Sequence, residues 1–408
     1  TALTKRLFYR RMKTYCKDID ITDPEQIEPF IALCFAGKTG RRNFQRLAMR
    51  YSDLTQGQID EAVRKHDNGA FAPAIKGVAV EIAARIRRRS LDLLPIRYYE
   101  RADESNGKIR LIGVESTLQQ CMDYVAVWAL MPLFRAKIGR YQCASIPGRG
   151  QVDGKRAIER FIRRKDPHGT KSKYFVKMDV RHCYQNLTRR AVMRRLRRDV
   201  HKNPVLLWFV DALLSTFQHG FSIGSFLSQF LCNYMLSYAY HFATEQLYKI
   251  RKRRTGRAAR VRLVGFVLFY MDDILFIGAA FKDVKKAARL FCTYLRDELG
   301  LEIKPIWHVK ALAKEPIDIM GFVIRRDRTT VRARIFVRAR RQFLRAWAYL
   351  ETGGYITIKA ARRIISYRGY FSHTDSVGIS AKLHIVEVSR AASNVISAAA
   401  RAELAAAA

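Results

Sequence analysis

The sequence predicts an α+β protein with a helical N-terminal extension, and three patterns support that prediction. Residues 1–95 carry apolar side chains at helical spacing. Residues 96–323 mix helical patterns with short apolar runs that are typical of strands, such as 174–180. Residues 324–408 are basic, and we predict helix there from Arg338 onward. We therefore expect three domains with these boundaries.

The charge of the chain indicates its class of partner. Among 408 residues, 75 are Lys or Arg and 36 are Asp or Glu, which gives a formal net charge of +39. A folded chain this basic repels itself unless a polyanion neutralises it. Because the surplus is spread along the chain, we expect an extended channel that binds nucleic acid. An anionic membrane surface is a less favoured partner.

The composition argues against several other classes of protein. Hydrophobic residues make up 49% of the chain, which favours large cores over disorder. We find no secretory signal and no apolar run near the roughly 18–20 residues that span a bilayer, so we expect no membrane association. The seven cysteines are an odd number without a C-x-x-C pair. This favours a reducing cytoplasm and argues against a disulfide framework or a cysteine zinc site.

The first half of the chain predicts helices and then strands. The expected elements are a helix opened by Asp23-Pro24, a basic loop at 38–43, a helical stretch at 57–89, strands at 96–100 and 109–114 around a turn at 104–107, helices at 118–134 and 152–164, and a strand at 174–180. The segment 1–95 carries no catalytic signature. It is either a helical scaffold or an RNA-docking extension.

The second half alternates basic helices with apolar strands. The expected elements are a basic helix at 187–202, helices at 204–218 and 225–248, a loop at 249–262, a hairpin at 264–277, a helix at 284–299 and a strand at 317–323. The predicted loop holds eight basic residues and no acidic one. The hairpin places Tyr270, Met271, Asp272 and Asp273 at or near its turn.

Three carboxylates are the candidate chemical centre. Asp272 and Asp273 are adjacent within an otherwise apolar segment, where unpaired acids are expensive to bury. Hard oxygen ligands favour Mg²⁺, and Asp179 ends a second apolar strand. Three such carboxylates would hold two Mg²⁺ ions and support in-line displacement at phosphorus. The alternative is an exposed hairpin turn that is Asp-Asp by chance.

Six motifs in order resemble the reverse transcriptase family. The sequence Tyr270-Met271-Asp272-Asp273 is similar to the family's Y-x-D-D signature. In this chain, 179–184 resembles the family's first catalytic motif, and 220–229 resembles its glycine-containing motif. Lys108-Ile109-Arg110 with Gln119-Gln120 resembles the fingers region. The segment 299–304 resembles the palm motif that supplies a lysine, and 318–322 resembles the primer-grip hairpin. The resemblance covers 96–345. It implies a right-hand polymerase with fingers, palm and thumb.

The resemblance also implies a role for individual residues. Asp179 and Asp272 would ligate the metals, with Asp273 beside them, and Tyr184 would exclude a 2′-hydroxyl. The residues implied at the incoming nucleotide are Lys108, Arg110, His182, Gly224, Gln229 and Lys304. Met320 and Gly321 would form the primer grip. The bland alternatives are ordinary packing for Tyr184, a solvated strand for Lys108 and Arg110, and a surface lysine for Lys304.

The segment 325–345 contains nine arginines and one acid. At helical spacing it would line one side of a groove with guanidinium groups, which suit phosphate contacts and stacking on bases. We therefore expect Arg332, Arg334, Arg338 and Arg341 to contact the template–primer duplex. The alternative is a solvated helix face.

The resemblance implies an RNA-directed DNA polymerase with an RNA template, a DNA product and deoxynucleotide substrates. The form of 223–229, I-G-x-x-x-S-Q, resembles the enzymes of diversity-generating retroelements and of bacterial antiviral defence. We favour defence with a cognate structured noncoding RNA, and diversity generation is the alternative. A template-independent terminal transferase and a non-catalytic RNA-binding scaffold are further alternatives. An accessory protein or a homo-oligomer is compatible with each of these functions.

Overall fold

The computed structural model describes residues 13–102, 107, 109–218, 220–252, 254 and 256–405. Within these residues it confirms a mixed helix and sheet architecture, 54% of it helical. The chain divides into two compact units. The first holds the described residues up to Gly139, His182–Tyr238 and Asp297–Leu301, and the second holds Arg140–Arg181, Ala239–Arg296 and the described residues from Glu302 onward.

The first unit is mainly helical and carries one hairpin. Its elements are α1 (Pro24–Phe35), α2 (Arg42–Arg50), α3 (Gln56–Arg64), α4 (Ala72–Arg87), β1 (Arg97–Ala102), β2 (Ile109–Val114), α5 (Thr117–Ala129), α6 (Met131–Lys137), α8 (Cys183–Asn186), α9 (Arg189–Asp199), α10 (Pro204–Leu214) and most of α11 (Phe226–His241). Asp23 caps α1 by accepting a hydrogen bond from the Glu25 backbone N–H. Ile31 and Ile82 are fully buried in its core.

Two predicted elements of the first unit change at their ends. The helix predicted at 118–134 is two helices, α5 and α6, that meet at Leu130. Pro132 lies in the first turn of α6, where its missing N–H costs nothing, and it cannot continue α5. The basic loop predicted at 38–43 is shorter, because α2 begins at Arg42.

The centre of the second unit is an antiparallel sheet. Its elements are α7 (Gln151–Glu159), β3 (Tyr174–Arg181), β4 (Tyr248–Lys252), β5 (Ala258–Arg262), β6 (Phe266–Tyr270), β7 (Asp273–Gly278), α12 (Phe281–Tyr294), β8 (Glu302–Ile303), β9 (Val309–Ala311), β10 (Ile317–Ile319), β11 (Phe322–Ile324), β12 (Thr329–Val331), α13 (Ala333–Glu351), α14 (Ile358–Phe371), α15 (Val377–Lys382) and α16 (Ile385–Ala405). The strand order is β6-β7-β3-β8, and β9 also pairs with β3.

The central sheet buries both of its faces. One face carries Leu268 and Leu275, which belong to a core cluster with Ile158 of α7 and Phe322 of β11. The other face carries residues that alternate with these along each strand. There the Phe276 ring packs edge-on against Phe291 of α12, with 5.1 Å between ring centroids. We call the first the carboxylate face, because Asp179 and Asp273 lie on it, and the second the helix face.

The second unit corrects two sequence predictions. The basic loop predicted at 249–262 is a β-hairpin of β4 and β5, in which Tyr248 pairs with Arg262. The prediction was wrong because eight cations argued for solvation, whereas backbone pairing and the buried Leu247 and Leu263 at the base hold the strands together. The single strand predicted at 317–323 is two strands, β10 and β11, joined by a tight turn.

The C-terminal helices form their own core. Phe343 of α13 and Ile364 of α14 are fully buried in a cluster with Val388 of α16. Helix α13 begins at Ala333, five residues before the predicted start, and β12 precedes it. The part of the chain that the structure describes contains no helix both long and apolar enough to cross a membrane.

Candidate active site

The three predicted carboxylates lie at one edge of the central sheet. Asp179 is near the end of β3, and Asp273 opens β7 directly opposite it. Asp272 lies in the two-residue turn between β6 and β7, and its carbonyl accepts a hydrogen bond of 2.9 Å from the Val180 N–H. Met271 completes that turn with φ of 53°, a left-handed conformation that costs a non-glycine residue roughly 1–2 kcal/mol. The turn thus brings Asp272 and Asp273 beside Asp179.

Two lysines pair with the outer carboxylates. Lys304 Nζ lies 2.5 Å from Asp179 Oδ1, and Lys177 Nζ lies 3.0 Å from Asp273 Oδ1. The Lys304 backbone N–H also donates to the Asp179 carbonyl at 2.9 Å, which fixes the lysine beside the strand. We did not single out Lys177 from the sequence. Its signal was the two-residue period, which places it on the same strand face as Asp179.

The environment of Asp272 disfavours its negatively charged form. Desolvation by the surrounding protein, followed by repulsion from Asp273 and Asp179, raises the pKa of Asp272 above its ordinary value. The Asp272 backbone N–H and the positive charge of Lys304 oppose that shift. Part of the residue is still exposed to solvent, so a cation can approach it. The site therefore favours a positively charged ligand at this position.

The donor set suits a hard divalent cation. Among the described residues, no three acidic, histidine or cysteine side chains are close enough to form a ready-made metal site. The three carboxylates nevertheless offer only oxygen ligands, and a divalent ion would relieve the repulsion that raises the Asp272 pKa. These residues therefore fit Mg²⁺, which would compete with Lys304 and Lys177 for Asp179 and Asp273.

Tyr184 contacts the glycine-containing motif within the first unit. Its carbonyl accepts a hydrogen bond of 2.9 Å from the Phe221 N–H, and the residue is half-buried. Gly220 has φ of 73°, and a Cβ on it would lie 2.3 Å from the Gln185 carbonyl oxygen. Only glycine permits this close approach. His182 is exposed in a left-handed conformation between β3 and α8.

Gly224 and Gln229 line a common cavity of about 360 Å³ in the first unit. Ile112 of β2 forms a parallel bridge to Ile223, which joins the β1–β2 hairpin to the glycine-containing motif. Arg110 is exposed on β2 but does not line this cavity. Lys108, which we predicted beside it, lies outside the described residues. The structure thus brings Gly224 and Gln229 together within one unit.

Two buried acids that we did not predict also line this cavity. Asp123 is 1% exposed, and its Oδ2 accepts a hydrogen bond of 2.8 Å from the Ser225 hydroxyl. Burial and the neighbouring charge of Glu115 raise the pKa of Asp123 well above its ordinary value. Burial also raises the pKa of Glu115. Asp123 lies in α5, and the helical pattern of the sequence does not predict that this residue is buried near a second acid.

Met320 and Gly321 form the turn between β10 and β11. Both residues have positive φ, 55° and 85°, as a two-residue type I′ turn requires. A Cβ on Gly321 would lie 2.7 Å from the Tyr370 ring, so α14 packs tightly against the turn. The hairpin that the resemblance implied is therefore present, and its role at the primer stays a prediction.

The arginines of 325–345 do not form one surface. Arg334, Arg338, Arg341 and Arg345 follow one exposed face of α13, opposite the buried Phe343. Arg332 precedes the helix, and its Nε lies 2.5 Å from Asp318 Oδ1. Arg326 donates to the carbonyls of Ile162, Asp166 and Ser172 and so stabilises the fold. The arginines before Ala333 do not share the exposed face of α13, because β12 precedes the helix.

Comparisons with known proteins give one family match. A family model described as "Reverse transcriptase (RNA-dependent DNA polymerase)" matches residues 101–324, more than half of the chain. The comparison with curated proteins finds no match. Among solved structures, the chain is similar to telomerase from Candida albicans in complex with a TWJ fragment of telomeric RNA, with 14% sequence identity and a TM-score of 0.40. The alignment covers 62% of this chain and 47% of the telomerase chain, so this chain spans about half of that length.

Proposed function

The chain belongs to the reverse transcriptase family, and on that premise we propose that it is an RNA-directed DNA polymerase that acts by two-metal nucleotidyl transfer. The observation that carries the proposal is the position of Asp179, Asp272 and Asp273 at one edge of the central sheet, on a strand and on the turn and strand opposite it. That arrangement gives one small region three oxygen-donor side chains and two lysines.

In this proposal Asp179 and Asp272 would hold two Mg²⁺ ions, with Asp273 beside them. When bound, the ions would supply charge stabilisation for displacement at phosphorus. The primer 3′-hydroxyl gives its proton to solvent water and forms the new bond to the α-phosphorus, the bond from that phosphorus to the α–β bridging oxygen breaks, and pyrophosphate leaves. Lys304 Nζ holds a proton beside Asp179 and would donate it to the departing pyrophosphate. Lys177 offsets the charge of Asp273.

Selection of the nucleotide is assigned to the first unit. The Phe221 N–H holds the Tyr184 backbone, and the half-buried side chain would exclude a 2′-hydroxyl by contact. Gly224 and Gln229, which line one cavity, would contact the template and the incoming nucleotide. Arg110, Lys108 and His182 would bind the triphosphate.

Duplex binding is assigned to the second unit. The exposed arginine face of α13 would contact phosphates of the template–primer duplex without reading sequence. Met320 and Gly321 form a rigid type I′ turn that would support the primer strand. In this proposal the net charge of +39 supplies affinity and the carboxylates supply chemistry.

Primer extension tests the polymerase proposal. The full chain is given an RNA template with an annealed DNA primer, Mg²⁺ and deoxynucleotides, and the products are resolved by length. We expect extension to the end of the template by wild type and none by Asp272→Asn, which should still bind RNA. Asp327→Asn removes an exposed acid outside the cluster and should extend normally. Extension by Asp272→Asn at the wild-type rate, or extension by wild type without any template, would contradict the proposal.

For the biological role, we propose synthesis on a cognate structured noncoding RNA in bacterial antiviral defence. The support is the form of 223–229, which resembles enzymes of defence and of diversity-generating retroelements. The seven free cysteines are compatible with a reducing cytoplasm. Phage plating on cells that carry the locus with wild type or with Asp272→Asn tests this role. Equal plaque numbers, together with template-copied mutations in a neighbouring repeat, would favour diversity generation instead.

A further inference from the structure

The β4–β5 hairpin and α12 present a surface that the polymerase proposal does not use. Helix α12 buries Val284, Ala287 and Phe291 against the sheet and exposes its cations on the other side. Lys249 Nζ joins the two elements by a 2.6 Å bond to Asp283 Oδ2. We call the exposed cations of both elements the back surface, represented by Lys252, Arg260, Arg262, Lys282, Lys286 and Arg289.

The α12 part of the back surface lies on the helix face of the central sheet. Phe291 of α12 packs against Phe276 and Phe269, with ring centroids 5.1 and 5.7 Å apart. Those two residues alternate with the ones that share a face with Asp179 and Asp273. The sheet therefore separates α12 from the three carboxylates, and the Lys249–Asp283 pair connects the hairpin to that helix. A duplex in contact with those carboxylates cannot be the ligand of the back surface at the same point.

The charge of the back surface is unbalanced. Asp283 is the only acid in β4, β5 and α12, and Lys249 pairs with it. Within the described residues, none of the six cations of the back surface forms an ion pair with an acid. Such a cluster repels itself and is favoured only when an anion neutralises it.

The side chains on the exposed hairpin face suit nucleic acid rather than an isolated phosphate. Alternation places Tyr248, Ile250 and Lys252 on one face, with Arg260 and Arg262 opposite them on β5. The Arg260 guanidinium lies 3.5 Å from the centre of the Tyr248 ring, and Ile250 is 60% exposed. Cations that alternate with flat and apolar groups can contact both phosphates and sugar or base surfaces.

We propose that the back surface binds a folded segment of the RNA that is not being copied. This inference rests on the proposed function. If the chain copies RNA into DNA, it must bind its RNA before DNA synthesis begins, and that RNA is the polyanion available to the back surface. One RNA could thus occupy both faces of the sheet, with its structured part on the hairpin and α12 and its template part at the carboxylates. The back surface would hold the cognate RNA between rounds of synthesis.

A binding experiment with two nucleic acids tests the proposal. The labelled probe is a blunt RNA stem-loop, and the competitor is an RNA–DNA template–primer at saturating concentration. We expect the stem-loop to stay bound to wild type in the presence of the competitor. Replacement of Lys252, Arg262, Lys286 and Arg289 by Gln should weaken stem-loop affinity on the order of tenfold or more and reduce its salt dependence. Single-nucleotide extension of the preannealed template–primer should be unchanged.

A charge-matched variant controls for general electrostatics. Arg160, Arg164, Lys165 and Lys171 are exposed in the segment that packs on the carboxylate face through Ile162, and their replacement by Gln removes the same charge. This variant should keep wild-type affinity for the stem-loop. Equal weakening in both variants, or displacement of the stem-loop from wild type by the template–primer, would overturn the back surface. Failure of wild type to extend any primer would overturn the proposed function instead.

Discussion

Asp179 and Asp273 are direct partners across two antiparallel strands, and each carboxylate contacts a different lysine. Like charges directly opposite each other destabilise a sheet. The two lysines reduce that repulsion, and Asp272 in the neighbouring turn adds a third negative charge. The edge of the sheet is therefore organised around anions that a positive ligand must balance.

Variants of Lys304 should show whether this side chain acts as a proton donor or only as a positive charge beside Asp179. Lys304→Gln removes both, and we expect nucleotide incorporation to slow on the order of 100-fold. Lys304→Arg keeps the charge but holds its proton too tightly to donate it. It should therefore be slow as well, and Lys177→Gln should be slowed less than either. Rapid-quench measurement of single incorporations over a range of pH checks this order. A wild-type rate for Lys304→Arg would leave the lysine with a purely electrostatic role.

Replacement of Tyr184 should relax the choice of sugar. Tyr184→Ala removes the ring that we propose to contact a 2′-hydroxyl, and ribonucleotide incorporation should rise on the order of tenfold or more relative to deoxyribonucleotides. Tyr184→Phe keeps the ring and should keep the selectivity. Competing incorporation of the two nucleotides measures the ratio. The same ratio in all three proteins would remove Tyr184 from the sugar contact.

The arginine face of α13 should contribute a salt-dependent term to duplex affinity. Replacement of Arg334, Arg338, Arg341 and Arg345 by Gln should weaken binding to every template alike. For a duplex, the slope of log affinity against log salt should fall by about one for each phosphate that an arginine no longer neutralises. Single incorporation at saturating enzyme should suffer less than processive extension. Salt titrations of template–primer affinity test this, and slopes identical to wild type would place these arginines away from the duplex.

The buried acid Asp123 should make stability depend on pH. Its pKa is raised in the folded chain, so the folded state binds more protons than the unfolded state between the ordinary and the raised pKa. The free energy of unfolding should therefore fall as pH rises through that window. Asp123→Asn stays neutral and should flatten the fall. Urea unfolding at several pH values measures it.

Asp166 provides a comparison of opposite sign. Burial alone would raise its pKa, but hydrogen bonds from Ser172, Lys171 and Thr170 outweigh burial and lower it. The stabilisation from its carboxylate should therefore disappear as pH falls through the lowered pKa. Asp166→Asn should remove that acidic dependence and leave in place the fall toward higher pH that Asp123 causes. An unchanged fall toward higher pH in Asp123→Asn would contradict the assignment of that fall to Asp123.

The sequence was most informative where side-chain pattern and backbone agree. The apolar runs on both sides of Asp272 and Asp273 predicted a hairpin, because two buried strands joined by a short polar turn give that pattern. The hairpin at 248–262 was missed because its many cations hide the alternation of side chains along the strands. The burial of Leu263 at its base depends on tertiary packing, which the local sequence does not show. Lys177 and Asp123 needed the fold, since neither strand spacing nor helix spacing identifies the partner on another element.

The crowded carboxylates also make cation binding and folding linked equilibria. A cation that binds the folded chain and not the unfolded chain shifts the folding equilibrium by mass action, so the melting temperature should rise with magnesium concentration. The size of that rise reports occupancy without any nucleotide or primer. For this chain, the melting temperature plotted against magnesium concentration therefore reports binding of the ion that Asp179, Asp272 and Asp273 would share.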